Sequence, residues 1–128
     1  MGEKTILVVD DEKNLRETVK MILEVFGGYK VVTASDGKEG IKQAHMVKPD
    51  LILLDIKMPE MDGLQTLKIL KEATATMRIP VVMLTACGED ILKMKASQLY
   101  DEDYIIKPIE ARELVARVEK VLERKKAK

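Results

Sequence analysis

Several things are scarce in this 128-residue chain, and each scarcity removes a class of function. A single cysteine, Cys87, excludes an internal disulfide, and with only one histidine, His45, there are too few ligands for a dedicated His/Cys zinc site. Charge of either sign is not in excess. Lys+Arg (22) and Asp+Glu (22) cancel to a formal net charge of zero, so no global field draws the chain to nucleic acid or to an anionic membrane. Any charged ligand must be held by local charge. No apolar run approaches the ~18 residues of a membrane span, and the amino terminus "MGEKTILVVDDEKN" has too short an apolar stretch for a signal peptide. A soluble, cytoplasmic protein without a membrane partner is expected. There is no internal repeat and no low-complexity segment, and a chain of this length fits one domain with one well-packed core.

What the chain does have is short aliphatic runs set between segments of helical period. The runs are Ile6 to Val9, Val31 to Ala34, Leu51 to Leu54, Val81 to Leu84, and the shorter Tyr104 to Ile106. This alternation predicts βα units on a parallel sheet. Runs one, three and four are almost uniformly aliphatic, as strands covered on both faces should be. The second carries Lys30 and Thr33 and the fifth is brief, which places these two at the edges. Between the first two runs, Leu15, Val19, Ile22, Leu23 and Phe26 recur on one helical face, and Gly27-Gly28 ends the pattern. A second helix is expected after Ser35-Asp36, with Ile41 and Ala44 inward, stopping before Pro49. A third opens at Gly63 behind Asp62 as its cap and carries Leu64, Leu67, Ile69 and Leu70. A fourth spans about Glu89 to Gln98, and a fifth has Leu114, Val118, Val121 and Leu122 on one face ahead of the basic tail "ERKKAK". The eight scattered methionines read as core filler, and His45 as a solvated helix residue.

Polar residues gather where the runs end. The first leads into Asp10-Asp11, the third into Asp55, the fourth into Thr85-Ala86 and the fifth into Lys107-Pro108. In a parallel sheet these carboxyl ends share one rim, and ligands bind there where the strand order reverses. Three carboxylates in one pocket repel by roughly 4 kcal/mol per close pair at an effective dielectric near 20. Lys107 supplies one offsetting charge. A cluster of acidic oxygens on loops is also what a hard divalent ion selects, and magnesium in particular leaves positions open for phosphate oxygens. An aspartate is itself a nucleophile towards phosphoryl groups, and Thr85 and Lys107 supply the donor and the charge such a group needs.

With those motifs in view, the chain resembles the receiver domain of bacterial two-component response regulators over about Lys4 to Leu122, leaving 123–128 as a tail. The resemblance rests on Asp10-Asp11, on Asp55 in "LLDIKMPEMDG", on "LTA" at Leu84 to Ala86, and on "DYIIKP" at Asp103 to Pro108. It implies a doubly wound, five-stranded parallel α/β sheet of flavodoxin-like order 2-1-3-4-5, helices on both faces. It further implies that Asp55 accepts a phosphoryl group from a sensor histidine kinase. Asp10, Asp11, Asp55 and the backbone carbonyl of Lys57 would hold Mg2+, Lys107 would pair with the phosphoryl oxygens, and Thr85 would hydrogen-bond one of them. Tyr104 matches the aromatic position that such domains move between exposed and buried states. The message would be a changed surface on the fourth helix, fifth strand and fifth helix, read by a downstream protein without direct nucleic-acid binding by this domain. Such a module is a phosphoacceptor rather than a turnover enzyme. Lys57 and Cys87 stand two residues after Asp55 and Thr85, where neither offers a water-positioning carboxylate or amide, so slow self-dephosphorylation is expected.

Two other readings fail on particular residues. A haloacid-dehalogenase-like phosphatase needs a second aspartate two residues after its nucleophile, and Lys57 stands there. A flavin or nucleotide carrier on this fold needs a glycine-rich or hydroxyl-rich phosphate loop after the first strand, and "DDEKN" is its electrostatic opposite.

Overall fold

The computed structural model describes residues 3–86, 88, 89, 92 and 103–126. In chain order these form β1 (Thr5–Val9), α1 (Lys13–Val25), β2 (Lys30–Ala34), α2 (Gly37–Val47), β3 (Leu51–Asp55), α3 (Gly63–Glu72), β4 (Val81–Thr85), β5 (Asp103–Ile106) and α4 (Ala111–Lys126). The helix expected over about Glu89 to Gln98 falls mostly outside the described residues, and Cys87 lies outside them.

All strand pairs are parallel and the order is β2-β1-β3-β4-β5, with the two least aliphatic strands at the edges as their composition requires. Each central strand is apolar on both faces because each face is covered. Ile6, Val8, Leu51, Leu53, Val82 and Leu84 pack with Val19, Leu23, Leu114 and Val118 of α1 and α4. The alternate residues Leu7, Val9, Ile52, Leu54, Val81 and Met83 pack with Ala44, Leu67 and Leu70 of α2 and α3. At about 1.5 to 3 kcal/mol for each fully buried aliphatic side chain, these two clusters are the main favourable contribution to the fold.

The caps follow the local sequence. Asp36 accepts from the Glu39 amide at 2.7 Å and starts α2. Asp62 and Gln65 form a reciprocal capping box at α3, with bonds of 2.9 and 3.0 Å. A lost cap of this kind costs about 1 kcal/mol.

Three expectations about side chains need correction. Phe26 does not sit on the core face of α1. The helix ends at Val25, Phe26 is its C-cap and 69% exposed, and Tyr29 on the far side of Gly27-Gly28 packs against that cluster instead. Ile69 is 40% exposed, because it lies about 200° around the helix from Leu67, away from the face that Leu67 and Leu70 bury. The methionines are not all core filler: Met58 and Met83 are buried, but Met21, Met46 and Met77 are exposed. His45 is exposed, as expected. Helix α4 continues through Lys126, so the first residues of the basic tail extend the helix. Among the described residues, no helix is long and apolar enough to cross a membrane.

Candidate functional site

The ends of β1, β3, β4 and β5 converge on one cavity of about 170 Å³, lined by Asp10, Asp11, Glu12, Asp55, Lys57, Thr85, Ala86 and Lys107. Backbone bonds carry the strand ladder past the last paired residues and hold the loops in place. The Asp10 amide donates to the Ala34 carbonyl (3.1 Å), that of Ile56 to Leu84 (3.0 Å), and that of Lys107 to Thr85 (2.8 Å). Oxygens of Asp10, Asp11 and Asp55 lie within 4.8 Å of one another, with Asp10 and Asp55 buried and Asp11 exposed. Lys107 Nζ donates to Asp55 Oδ1 at 3.1 Å and stands 3.6 Å from Asp10 Oδ2. Asp10 Oδ1 accepts from the Glu12 amide at 2.9 Å, whereas its Oδ2 is buried without a hydrogen-bond partner. A buried carboxylate oxygen in that state is costly unless a cation completes it. Together with the all-oxygen donor set, this fits a hard divalent ion.

Asp55 is only 4% exposed, and its carboxyl is pushed up from an ordinary 3.8 to about 6. Loss of water is the main cause and the charge of Asp10 adds to it, while Lys107 pulls the other way and is outweighed. One lysine therefore does not neutralise the cluster.

The family model described as the response regulator receiver domain matches residues 6–119. The chain belongs to this family. Among its relatives, the phosphate regulon transcriptional regulatory protein PhoB of Pseudomonas aeruginosa is 45% identical over 128 residues, covering 97% of this chain and 54% of the relative. The alkaline phosphatase synthesis transcriptional regulatory protein PhoP of Bacillus subtilis is 43% identical over 121 residues, covering 94% and 49%. The chain thus spans about half the length of the curated relatives it matches. A solved CheY-like receiver domain protein from Methanospirillum hungatei superposes with a TM-score of 0.88 at 28% identity, covering 98% of both chains.

In this receiver domain, six of the seven residues singled out from sequence line one cavity: Asp10, Asp11, Asp55, Lys57, Thr85 and Lys107. Tyr104 does not. It sits on β5 beside Met83, two residues back from Thr85 on the same sheet face, half-buried against the α2/α3 cluster. Asp62 caps α3 and lies outside the cavity lining.

Two supporting residues were not legible. Arg16 of α1 donates to the Asp10 carbonyl at 2.7 Å and steadies the acidic turn. Its position four residues after Glu12 gave no signal for this. Gly63 abuts the backbone of Asp55 and Ile56, and its amide donates to the Ile56 carbonyl at 2.7 Å. The Asp62-Gly63 pair pointed to a helix start but not to that contact.

The shift at Asp55 has a pH consequence. Its folded-state affinity for a proton exceeds its unfolded one, so its contribution to stability is full below about pH 3.8 and is lost as pH rises through about 6. Asp55→Asn, which cannot ionise, should therefore gain on the parent across that window. The gain should reach on the order of 2 kcal/mol by pH 7.5 in a magnesium-free buffer. Urea unfolding of both proteins at pH 4.5 and 7.5 measures it. A difference that does not grow with pH would contradict the crowding of charge around Asp55.

Proposed function

We propose that Asp55 accepts a phosphoryl group from the phosphohistidine of a sensor histidine kinase, and that this receiver domain then signals by repacking its surface. The observation that carries the reading is a water-deprived carboxylate at a strand end, with two further carboxylates within 4.8 Å and the Lys107 ammonium at 3.1 Å. An Asp55 oxygen attacks phosphorus, a P–O bond forms as the P–N bond to the histidine breaks, and the imidazole nitrogen keeps the electron pair. Lys107 holds a phosphoryl oxygen, and the Thr85 hydroxyl donates to another. Asp10, Asp11, Asp55 and the Lys57 backbone carbonyl would hold Mg2+, which would supply positive charge to offset that of the phosphoryl oxygens. The domain in this reading speeds only its own phosphorylation and a slow dephosphorylation, since the Lys57 side chain cannot position water as a carboxylate would.

The proposed unit is one receiver domain, with its core over residues 4–122 and 123–128 as an appended tail, acting in the cytoplasm. Its output face is the segment after β4, β5 and α4, offered to a downstream protein rather than to nucleic acid or membrane. Thr85 ends β4, and Tyr104 lies on the same sheet face beside Met83. Drawing Thr85 towards the phosphoryl group frees space for Tyr104. Moving such an equilibrium from mostly off to mostly on takes roughly 5.5 kcal/mol, more than a lone surface ion pair provides.

Incubation with a small-molecule phosphodonor, followed by intact mass measurement, tests the acceptor chemistry: one phosphoryl group is expected with magnesium and almost none with a chelator. Uptake indifferent to the chelator would remove the metal from the reading. Thr85→Ala should still take up the group within a few-fold of the parent. Its backbone amide shifts on adding beryllofluoride should shrink along β5 and the first half of α4. Equal shifts in parent and variant would exclude Thr85 as the coupling residue.

A further inference from the structure

The outer side of α2 carries charge of one sign. Gly37, Gly40 and Ala44 form the buried side of this helix. Lys42 stands two residues from both Gly40 and Ala44, about 200° round the helix, and so faces solvent. Lys38, four residues before it, and His45, three after, share its stripe, and Lys48 follows as the C-cap. All four are exposed, and among the described residues none of their side chains makes an ion pair. The one acid of α2, Glu39, is engaged elsewhere: its carboxylate accepts from the Ser35 hydroxyl at 3.4 Å, in the turn before the helix.

Helix stability does not account for this pattern. A cation in the first turn, where Lys38 stands, opposes the helix dipole, and Lys38 and Lys42, four residues apart, repel each other. Lys48 takes a left-handed backbone, φ 52, that favours glycine. The chain as a whole has no net charge, so the stripe is not the local share of a general excess. Beside Lys42, Met46 is 68% exposed. Carboxylates laid along the stripe would relieve its self-repulsion, and an apolar side chain among them would cover Met46. A single exposed methionine is too little apolar surface for a helix to lie in a lipid interface, and nucleic-acid phosphates would leave it uncovered. The chemistry that fits is an acidic protein segment.

We propose that the outer face of α2 docks an acidic segment of a partner protein, with carboxylates on Lys38, Lys42 and Lys48 and an apolar residue against Met46. Helix α2 covers the opposite face of the sheet from α1 and α4, so a partner held here leaves β5 and α4 open. The docking needs no phosphoryl group on Asp55. Its exposed charges make it weak and salt-sensitive.

Fluorescence anisotropy of a dye-labelled oligoglutamate peptide with one leucine at its centre, titrated with the whole chain, tests the proposal. The parent should bind with a Kd on the order of 0.1 mM at low salt, weakening about tenfold or more as salt is raised to physiological strength. Lys38→Glu with Lys42→Glu should weaken binding about tenfold or more. Lys13→Glu with Lys120→Glu, which changes the net charge equally on α1 and α4, should stay within about threefold of the parent. Met46→Ser should weaken the leucine-centred peptide about threefold and leave plain oligoglutamate unchanged. Asp55→Asn should bind as the parent does, so the result does not depend on the phosphoryl reading. No binding by the parent, or equal losses in the two double variants, would overturn the proposal. So would tighter binding of phosphatidylglycerol vesicles or duplex DNA than of the peptide, lost with Lys38→Glu and Lys42→Glu, since the face would then serve a membrane or a nucleic acid.

Discussion

Asp55→Asn is expected to take up no phosphoryl group under conditions in which the parent protein takes up one. The effect should be total because neighbouring carboxylates cannot substitute. Asp10 has one oxygen committed to the Glu12 amide, and its other oxygen is buried where a cation is needed. Asp11 is exposed, and access to water lowers its nucleophilicity relative to a carboxylate stripped of it. Asp55 alone joins a strand end, burial and direct contact with Lys107. The amide keeps the shape and removes the nucleophile, so a loss of uptake is chemical rather than a consequence of unfolding. The pH comparison above checks this independently, since the variant should be the more stable of the two at neutral pH. Normal uptake in Asp55→Asn would end the assignment.

Gly63→Ala should be among the most damaging single-methyl additions in the domain. A Cβ at this position would lie 2.2 Å from the Asp55 carbonyl oxygen and 2.7 Å from the Ile56 Cα, and both are backbone atoms of the chain leaving a central strand. No rotamer change relieves that clash, so α3 must move away from β3 or the strand end must bend. Overpacking against an unyielding neighbour costs about 3 kcal/mol or more. The site should suffer with it, because the displaced atoms carry the Asp55 side chain and phosphoryl uptake depends on its placement. Gly28→Ala is the comparison. Gly28 has φ +71 but nothing within 4 Å of where a Cβ would stand, so only the left-handed backbone is penalised, at about 1 kcal/mol. Urea unfolding of the two variants separates the effects. If Gly63→Ala costs no more than Gly28→Ala, the close approach at the end of β3 is not a structural constraint.

Most of the frame was legible because it depends on local pattern. Leu51 to Leu54 had to be covered on both faces, since no residue in the run offers a polar side to water. Asp36 and Asp62 announced helix starts through short-range bonds to amides three residues on, and both caps are present. Where such rules compete, they misled: apolar period alone assigned Phe26 to the core, but the helix stops one residue earlier and Tyr29 takes that place.

The sequence by itself determined the strands, the caps of two helices, most of the helix faces, and the residue types at the ends of four strands: acid, acid, hydroxyl, ammonium. These follow from spacing along one chain, where periodicity and capping act over a few residues. Only the tertiary structure decided that these ends meet around 170 Å³ and that one oxygen of Asp10 is left without a hydrogen-bond partner. It likewise decided that burial outweighs Lys107 at Asp55, and that the spot beside the Asp55 carbonyl admits only glycine. Each of these depends on atoms brought from segments tens of residues apart, and on how much water their meeting excludes. Neither quantity is a property of any local stretch of chain.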